Sequence, residues 1–181
     1  MVGASPRRVQ SHIVIPAIRS RDACRLPPAG EPDRSPYPGL RALERYAVRV
    51  GGAHNHRDNL GSAVMIKDNH IVAAGGITTA IVRARKRAPH TSRIEVEVAS
   101  LAEFDEAVAA GADVIMLDNH DVPRMREAVA FVAGRIPLEA SGNVSLDTIR
   151  AYAETGVDYI SVGGLTKDVR ALDLSMRFRS R

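Results

Sequence analysis

Gly111-Ala112-Asp113-Val114-Ile115-Met116-Leu117 and Gly156-Val157-Asp158-Tyr159-Ile160-Ser161-Val162 are one seven-residue pattern written twice: glycine, an apolar residue, aspartate, then a run of β-type character. Each glycine stands where an amphipathic segment stops and an apolar run starts, the position that favours a left-handed residue. Ahead of the first copy, Leu101–Ala110 places Leu101, Phe104 and Val108 on one helical face. Ahead of the second, Ser145 is read as the cap of a helix whose apolar face is Leu146, Ile149 and Ala153. Between the copies, Val122–Ala133 repeats the pattern with Val122, Met125, Val129 and Val132, after Asp121 as N-cap.

Working outward, apolar runs recur at 63–66, 94–98, 113–117, 136–140 and 159–162. Strands alternating with helices at this spacing make parallel βα units. The class is therefore α/β, either a barrel or an open sheet, and the pattern alone does not separate the two. Upstream, Pro38 suits a helix start, with Leu40, Leu43 and Ala47 on one face. Residues 1–36 hold six of the ten prolines and no sustained period, so they read as an irregular or disordered Pro/Arg-rich tail preceding a domain at 37–181.

Composition narrows the function. Of the net charge of +4, residues 1–36 carry +3 and the regular part only +1, which argues against a nucleic-acid-binding face. Arg83, Arg85, Lys86 and Arg87 read as a solvated helix end. No apolar run is long enough for a membrane span. The short run Ile13–Ile18 is broken by Pro16 and makes a poor signal peptide. One cysteine, Cys24, excludes an internal disulfide and fits a cytoplasmic protein.

In both α/β architectures ligands bind at the C-terminal ends of the strands. The residues ending the runs are Lys67 and Asp68, Glu97, Asp118 and Asn119, Glu139 with Ser141-Gly142-Asn143, and Gly163-Gly164. A lysine, several carboxylates and two glycine turns on one rim suit a polyanionic substrate, with the turns offering main-chain N–H groups to a phosphate. In Ile94-Glu95-Val96-Glu97-Val98 both glutamates share the interior face. Glu97 is the candidate for substrate and Glu95 a structural partner. His54 and His56 could hold a metal, but Arg57 beside them favours an anion site, and no resident protein metal is assigned.

Several stretches resemble quinolinate phosphoribosyltransferases. They are Pro38-Gly39-Leu40-Arg41, Asn55-His56-Arg57, Ile66-Lys67-Asp68-Asn69-His70, Glu95-Val96-Glu97-Val98, Met116-Leu117-Asp118-Asn119 and Glu154 through Gly163, in order from about Pro38 to about Leu174. The resemblance implies an open α/β barrel of parallel strands, TIM-like, here incomplete at its N-terminal end. It implies transfer of a phosphoribosyl group to quinolinate with decarboxylation, giving nicotinate mononucleotide, pyrophosphate and carbon dioxide. It also implies Mg2+ accompanying phosphoribosyl pyrophosphate, and a homodimer or dimer-based oligomer. By position, Arg34, His56, Arg57 and Lys67 would bind the quinolinate carboxylates. Glu97 and Asp118 would hold the ribose, with Lys67, Glu97 and Asp118 as the catalytic set. Ser141, Gly142, Asn143, Gly163, Gly164 and Leu165 would cradle phosphate.

One stretch departs from the family. Where its members carry a Thr-Arg-Lys strand, this chain reads Asp33-Arg34-Ser35-Pro36-Tyr37, so Arg34 aligns but the lysine position holds Ser35. The domain that precedes the barrel in the family is also missing, which suggests a truncation. The alternative reading is therefore a catalytically inactive homologue or ligand-binding subunit of the same family. A related barrel protein associated with molybdenum transport is a further rival, disfavoured by the His56-Arg57 and Lys67 pattern.

Overall fold

The computed structural model describes residues 13–16, 41–57, 63–163 and 175–177. Seven strands and six helices occur among them: β1 Ile13–Pro16, α1 Arg41–Val50, β2 His54–Asn55, β3 Val64–Ile66, α2 Asp68–Ala74, α3 Ile77–Arg87, β4 Ile94–Val98, α4 Leu101–Ala109, β5 Val114–Asp118, α5 Val122–Val132, β6 Leu138–Ser141, α6 Ile149–Ala153 and β7 Tyr159–Val162. Strands β3 to β7 lie side by side in chain order, every neighbouring pair parallel. This is the α/β arrangement that the alternating pattern predicts.

The pleat sorts residues onto two faces. Ile66, Ile94, Val96, Val98, Ile115, Leu117, Leu138, Ala140, Ile160 and Val162 pack with Ile77, Ile81, Phe104, Ala107, Met125, Ala128 and Val132 from the helices. The alternate positions carry Lys67, Glu95, Glu97, Met116, Asp118, Glu139, Ser141 and Ser161. The pleat thus gives each strand an apolar face toward the helices and a polar face on the other side. The two outermost strands, β2 and β3, contribute His54 and Val64 to the wall of one shared cavity. The sheet thus curls enough for its two edge strands to border one cavity, while no β2–β3 pairing closes it among the described residues.

The repeated Gly-x-Asp pattern has a physical cause. Gly111 and Gly156 take φ of 78° and 94°, ending α4 and α6 in left-handed turns. Each aspartate then clips the next strand onto the previous one. Asp113 N–H donates to Ile94 O (2.9 Å) while its Oδ2 accepts from Ile94 N–H (2.8 Å). Asp158 repeats both bonds with Leu138, at 2.9 and 2.8 Å. Asp113 also receives Arg85, 2.5 Å away, so the basic end of α3 is partly engaged with the sheet. Burial works against ionisation of Asp113, but the Arg85 and Ile94 hydrogen bonds outweigh it and hold its carboxyl below the usual range. Replacing Asp158 by Ala leaves the Leu138 N–H without its acceptor and is expected to cost about 1–3 kcal/mol. A denaturant midpoint within error of the native chain would refute that role.

Two expectations are revised. Inside the tail read as irregular, Ile13–Pro16 form β1, antiparallel to both β7 and β2. Three β-branched residues suit a strand. Pro16 is tolerated because β2 pairs only with Ile13 and Val14, leaving the proline beyond that ladder. β1 therefore covers the β7 edge; the rest of 1–36 lies outside the described residues. Second, Ser145 does not cap α6. Ser145 and Thr148 exchange side-chain and main-chain bonds in a turn, Thr148 becomes the N-cap, and Leu146 is left 84 % exposed. By contrast Asp121 caps α5 as expected, accepting from Arg124 N–H at 2.9 Å. The stretch after Lys67, to which no element was assigned, forms a short helix, α2, which stops at Gly75 (φ 84°) before α3 begins.

Candidate active site

Lys67 follows β3 and turns straight into α2, its N–H donating to His70 Nδ1 at 3.0 Å. That fixes the side chain at the strand end, where Nζ meets Glu97 Oε2 at 2.6 Å. Both side chains are 18 % exposed, sheltered yet open to a ligand. Across β5, Asp118 stands opposite Ser141 of β6. Asn119 donates from Nδ2 to Asp118 Oδ2 (2.8 Å) and accepts at Oδ1 from Asn143 Nδ2 (3.1 Å). Asn119 and Asn143 both adopt positive φ, 52° and 50°. Such values are unusual outside glycine and best tolerated by asparagine. Gly142 lies between them at φ 93°. A Cβ there would approach Asn119 Cγ to 2.6 Å and its main-chain N to 2.9 Å. Lys67, Glu97, Asp118, Asn119 and the 141–143 turn therefore form a rim at the C-terminal strand ends. Ser141 is buried, and the side of Gly163 where a Cβ would stand is open space. The turn at 141–143 has no long helix behind it, because α6 starts only at Ile149. Arg34, Gly164 and Leu165 lie outside the described residues.

A second polar group lies deeper inside. His56 Nε2 is 3.3 Å from Glu95 Oε2 and 4.0 Å from Glu139 Oε1. The Ser161 hydroxyl donates to Glu139 Oε1. Glu95 is two residues, one pleat repeat, below Glu97 on the same face of β4. His56, Arg57, Glu95 and Glu139 border a cavity of about 340 Å³ with Arg93, Val114 and Tyr159, at the N-terminal ends of the strands. Two close carboxylates in a dry place cannot both stay ionised. Burial first, and then the Glu95 charge, push the Glu139 carboxyl up to about 8.

The sequence-level candidates thus divide. Lys67, Glu97, Asp118, Ser141, Gly142 and Asn143 belong to the rim, while His56 and Arg57 sit with the interior carboxylates. Glu95 has a structural partner as foreseen, and that partner is His56. Glu139 was read as a rim residue and is instead deep inside; Ser161 was not singled out. Continuing the pleat from Glu95 and Glu97 into Glu139-Ala140-Ser141 and Tyr159-Ile160-Ser161 would have placed Glu139 and Ser161 on the interior face.

The model of the quinolinate phosphoribosyl transferase C-terminal domain matches residues 33–177. The chain belongs to that family. A probable carboxylating nicotinate-nucleotide pyrophosphorylase of Bacillus subtilis is 49 % identical over 143 residues, covering 79 % of this chain and 50 % of the relative. The human carboxylating nicotinate-nucleotide pyrophosphorylase is 42 % identical over 147 residues, covering 80 % and 50 %. The crystal structure of NadC from Streptococcus pyogenes superimposes with a TM-score of 0.74 at 48 % identity, covering 78 % of this chain and 50 % of that one. This quinolinate phosphoribosyl transferase domain therefore spans about half the length of the relatives it matches.

Proposed function

We propose that the chain carries the site for phosphoribosyl transfer to quinolinate, yielding nicotinate mononucleotide, pyrophosphate and carbon dioxide for NAD synthesis. The observation that carries this reading is the rim itself: Lys67 against Glu97, with Asp118 and a strained glycine turn beside them. Quinolinate is a dianion and needs fixed cations; Lys67 offers one at the rim, and Arg57, which borders the interior cavity, is proposed as the other. As its ring nitrogen bonds to the sugar and pyrophosphate departs, positive character builds on the ribose. Glu97 and Asp118 are the negative groups that would stabilise it and hold the ribose hydroxyls. The ring carboxylate next to the nitrogen then leaves as carbon dioxide, its bonding electron pair stays on the ring carbon, which takes a proton from water, and Lys67 is the cation available to that intermediate. Main-chain groups of Ser141, Gly142, Asn143 and Gly163, with Gly164 and Leu165, would receive phosphate. Mg2+ is proposed to enter with phosphoribosyl pyrophosphate as substrate; Glu97 and Asp118 offer the oxygen donors such a hard cation takes.

The proposed setting is the cytoplasm, and the proposed assembly a homodimer or dimer-based oligomer. Helix α1 supports association, since Leu43, Tyr46 and Val50 leave an apolar stripe 65, 59 and 67 % exposed. Among the described residues no helix is long and apolar enough to cross a membrane.

A chain matching only half of each relative also supports a second reading, a subunit that binds ligand without turnover. Incubation with quinolinate, phosphoribosyl pyrophosphate and Mg2+ separates the two by the appearance of nicotinate mononucleotide. Lys67→Met is expected to lower kcat/KM at least 100-fold, roughly the 3 kcal/mol of a lost charged hydrogen bond. Product formation unaffected by that substitution would remove Lys67 from the site. Binding without product would favour the second reading.

A further inference from the structure

The end of β5 is held from two sides. Buried His120 faces the Asp118 main-chain O with Nδ1 at 3.1 Å. A carbonyl oxygen only accepts, so Nδ1 carries the ring proton and donates it. That bond fixes the Asp118 main chain and leaves the carboxylate to rotate. The next residue fixes the carboxylate: Asn119 Nδ2 donates to Asp118 Oδ2 at 2.8 Å. At its other end the same amide accepts at Oδ1 from Asn143 Nδ2, 3.1 Å away. The Asn119 main-chain N–H donates to Ser141 O at 2.9 Å. We propose that Asn119 is a positioning residue that sets the spacing between the Asp118 carboxylate and the 141–143 turn, so that one phosphoribosyl group engages both. The inference rests on the phosphoribosyl reading, which gives the ribose hydroxyls to Asp118 and a phosphate to the turn.

The chief rival is that Asn119 serves only its own turn. Its φ of 52° does not decide between the two, because asparagine and glycine both tolerate the left-handed region. The side chain does. An amide has a donor end and an acceptor end, and Asn119 commits one to each subsite. The packing follows the bonding, since a Cβ on Gly142 would stand 2.6 Å from Asn119 Cγ. Gly142 thus leaves the room that the bridging amide fills. Asn119 and Asn143 are both exposed, so a ligand reaches both ends of the bridge. Hydrogen bonds this open to water add little to folding stability, and their loss shows in binding instead.

The roles open to Asn119 differ in what each ligand feels. A residue needed only for its turn is replaced by glycine without loss. A residue that shapes the phosphate turn alone weakens inorganic phosphate and phosphoribosyl pyrophosphate by the same factor. A spacer between two subsites spares inorganic phosphate, which occupies the turn. It weakens phosphoribosyl pyrophosphate, which has to reach Asp118 as well and must then order a carboxylate that nothing holds in advance.

Asn119→Gly in the full chain is the test. The variant keeps the left-handed turn and is expected to unfold within about 3 °C of the native chain. Side-chain 15N relaxation is expected to show an ordered Asn143 amide in the native chain and a mobile one in the variant. With Mg2+ present, phosphoribosyl pyrophosphate should bind the variant about tenfold more weakly, one hydrogen bond's worth, and inorganic phosphate within about threefold of native. Asn119→Asp keeps the acceptor for Asn143, loses the donor to Asp118 and sets a second carboxylate beside it. It should weaken phosphoribosyl pyrophosphate at least as much. Adding Asn143→Ala to Asn119→Gly should cost no further affinity, because both remove one bridge. Native-like binding by Asn119→Gly, an equal loss for both ligands, a loss that comes only with unfolding, or an Asn143 amide equally ordered in the variant overturns the proposal. The relaxation readout needs no ligand. A native chain that binds no phosphoribosyl pyrophosphate therefore counts against the phosphoribosyl reading, while the bridge is judged separately.

Discussion

Glu139→Gln is expected to make the chain more stable at pH 9 and to abolish most of the pH dependence of unfolding between pH 5 and pH 9. Glu139 is 3 % exposed, with Glu95 close by, and its carboxyl titrates near 8 in the folded state against 4.5 when free. Between those values the folded chain binds a proton that the unfolded chain does not, so stability declines as pH rises. The protonated side chain is fully favourable below the free value, and its contribution is lost as pH climbs through about 8. Each pH unit of such a shift is worth about 1.4 kcal/mol at most, and coupling to Glu95 and His56 shares it out, so a net difference of about 1–3 kcal/mol is expected. For a chain of this size that is about 2–12 °C in Tm. Glutamine keeps the volume and still accepts from Ser161, so at pH 5 the variant should match the native chain to within about 1 kcal/mol. A variant less stable than the native chain at pH 9 would show instead that the ionised Glu139 is stabilised there by pairing with a charged His56.

Gly142→Ala should damage the rim more than any other one-methyl change. The residue holds φ 93°, in the left-handed region that alanine disfavours, and the new Cβ would meet the side chain and main chain of Asn119. Asn119 cannot retreat freely, because its N–H donates to Ser141 O at 2.9 Å and its side chain joins Asp118 to Asn143. Strain of this kind costs about 1–3 kcal/mol. The methyl group must displace either the 141–143 turn or Asn119, and with Asn119 the carboxylate of Asp118. Calorimetric titration with phosphoribosyl pyrophosphate and Mg2+ is expected to show at least a 100-fold weaker site in this variant, about 3 kcal/mol. The same substitution at Gly111, where a Cβ meets nothing within 4 Å, should cost only backbone strain and spare binding. Equal binding by the Gly142→Ala and native chains would remove this turn from the phosphate site.

What the sequence discloses here depends on whether the signal is local. The Gly-x-Asp echo is local, and it located two strand starts because each aspartate repeats the same main-chain clip. The runs at 94–98 and 159–162 coincide with β4 and β7, and Asp121 caps its helix through its own following turn. The start of α6 was misread because Ser145 and Thr148 close a turn between themselves before a helix can begin. Strand β1 was invisible because four residues in a proline-rich tail carry no period; pairing with β7 and β2 makes them a strand. The rim was legible because it lies at the ends of apolar runs. The depth of His56 and Glu139 was not, since it depends on how far the sheet curls.

The account rests on a fixed cationic pocket for a small dicarboxylate. Calorimetric titration of the full chain with quinolinate at pH 8 measures this most directly, beside the Arg57→Ala variant and a thermal scan showing both folded. Saturable binding of one quinolinate per chain, lost in Arg57→Ala, is the predicted result. A folded chain with no heat of binding, or one that binds equally well without Arg57, would contradict it.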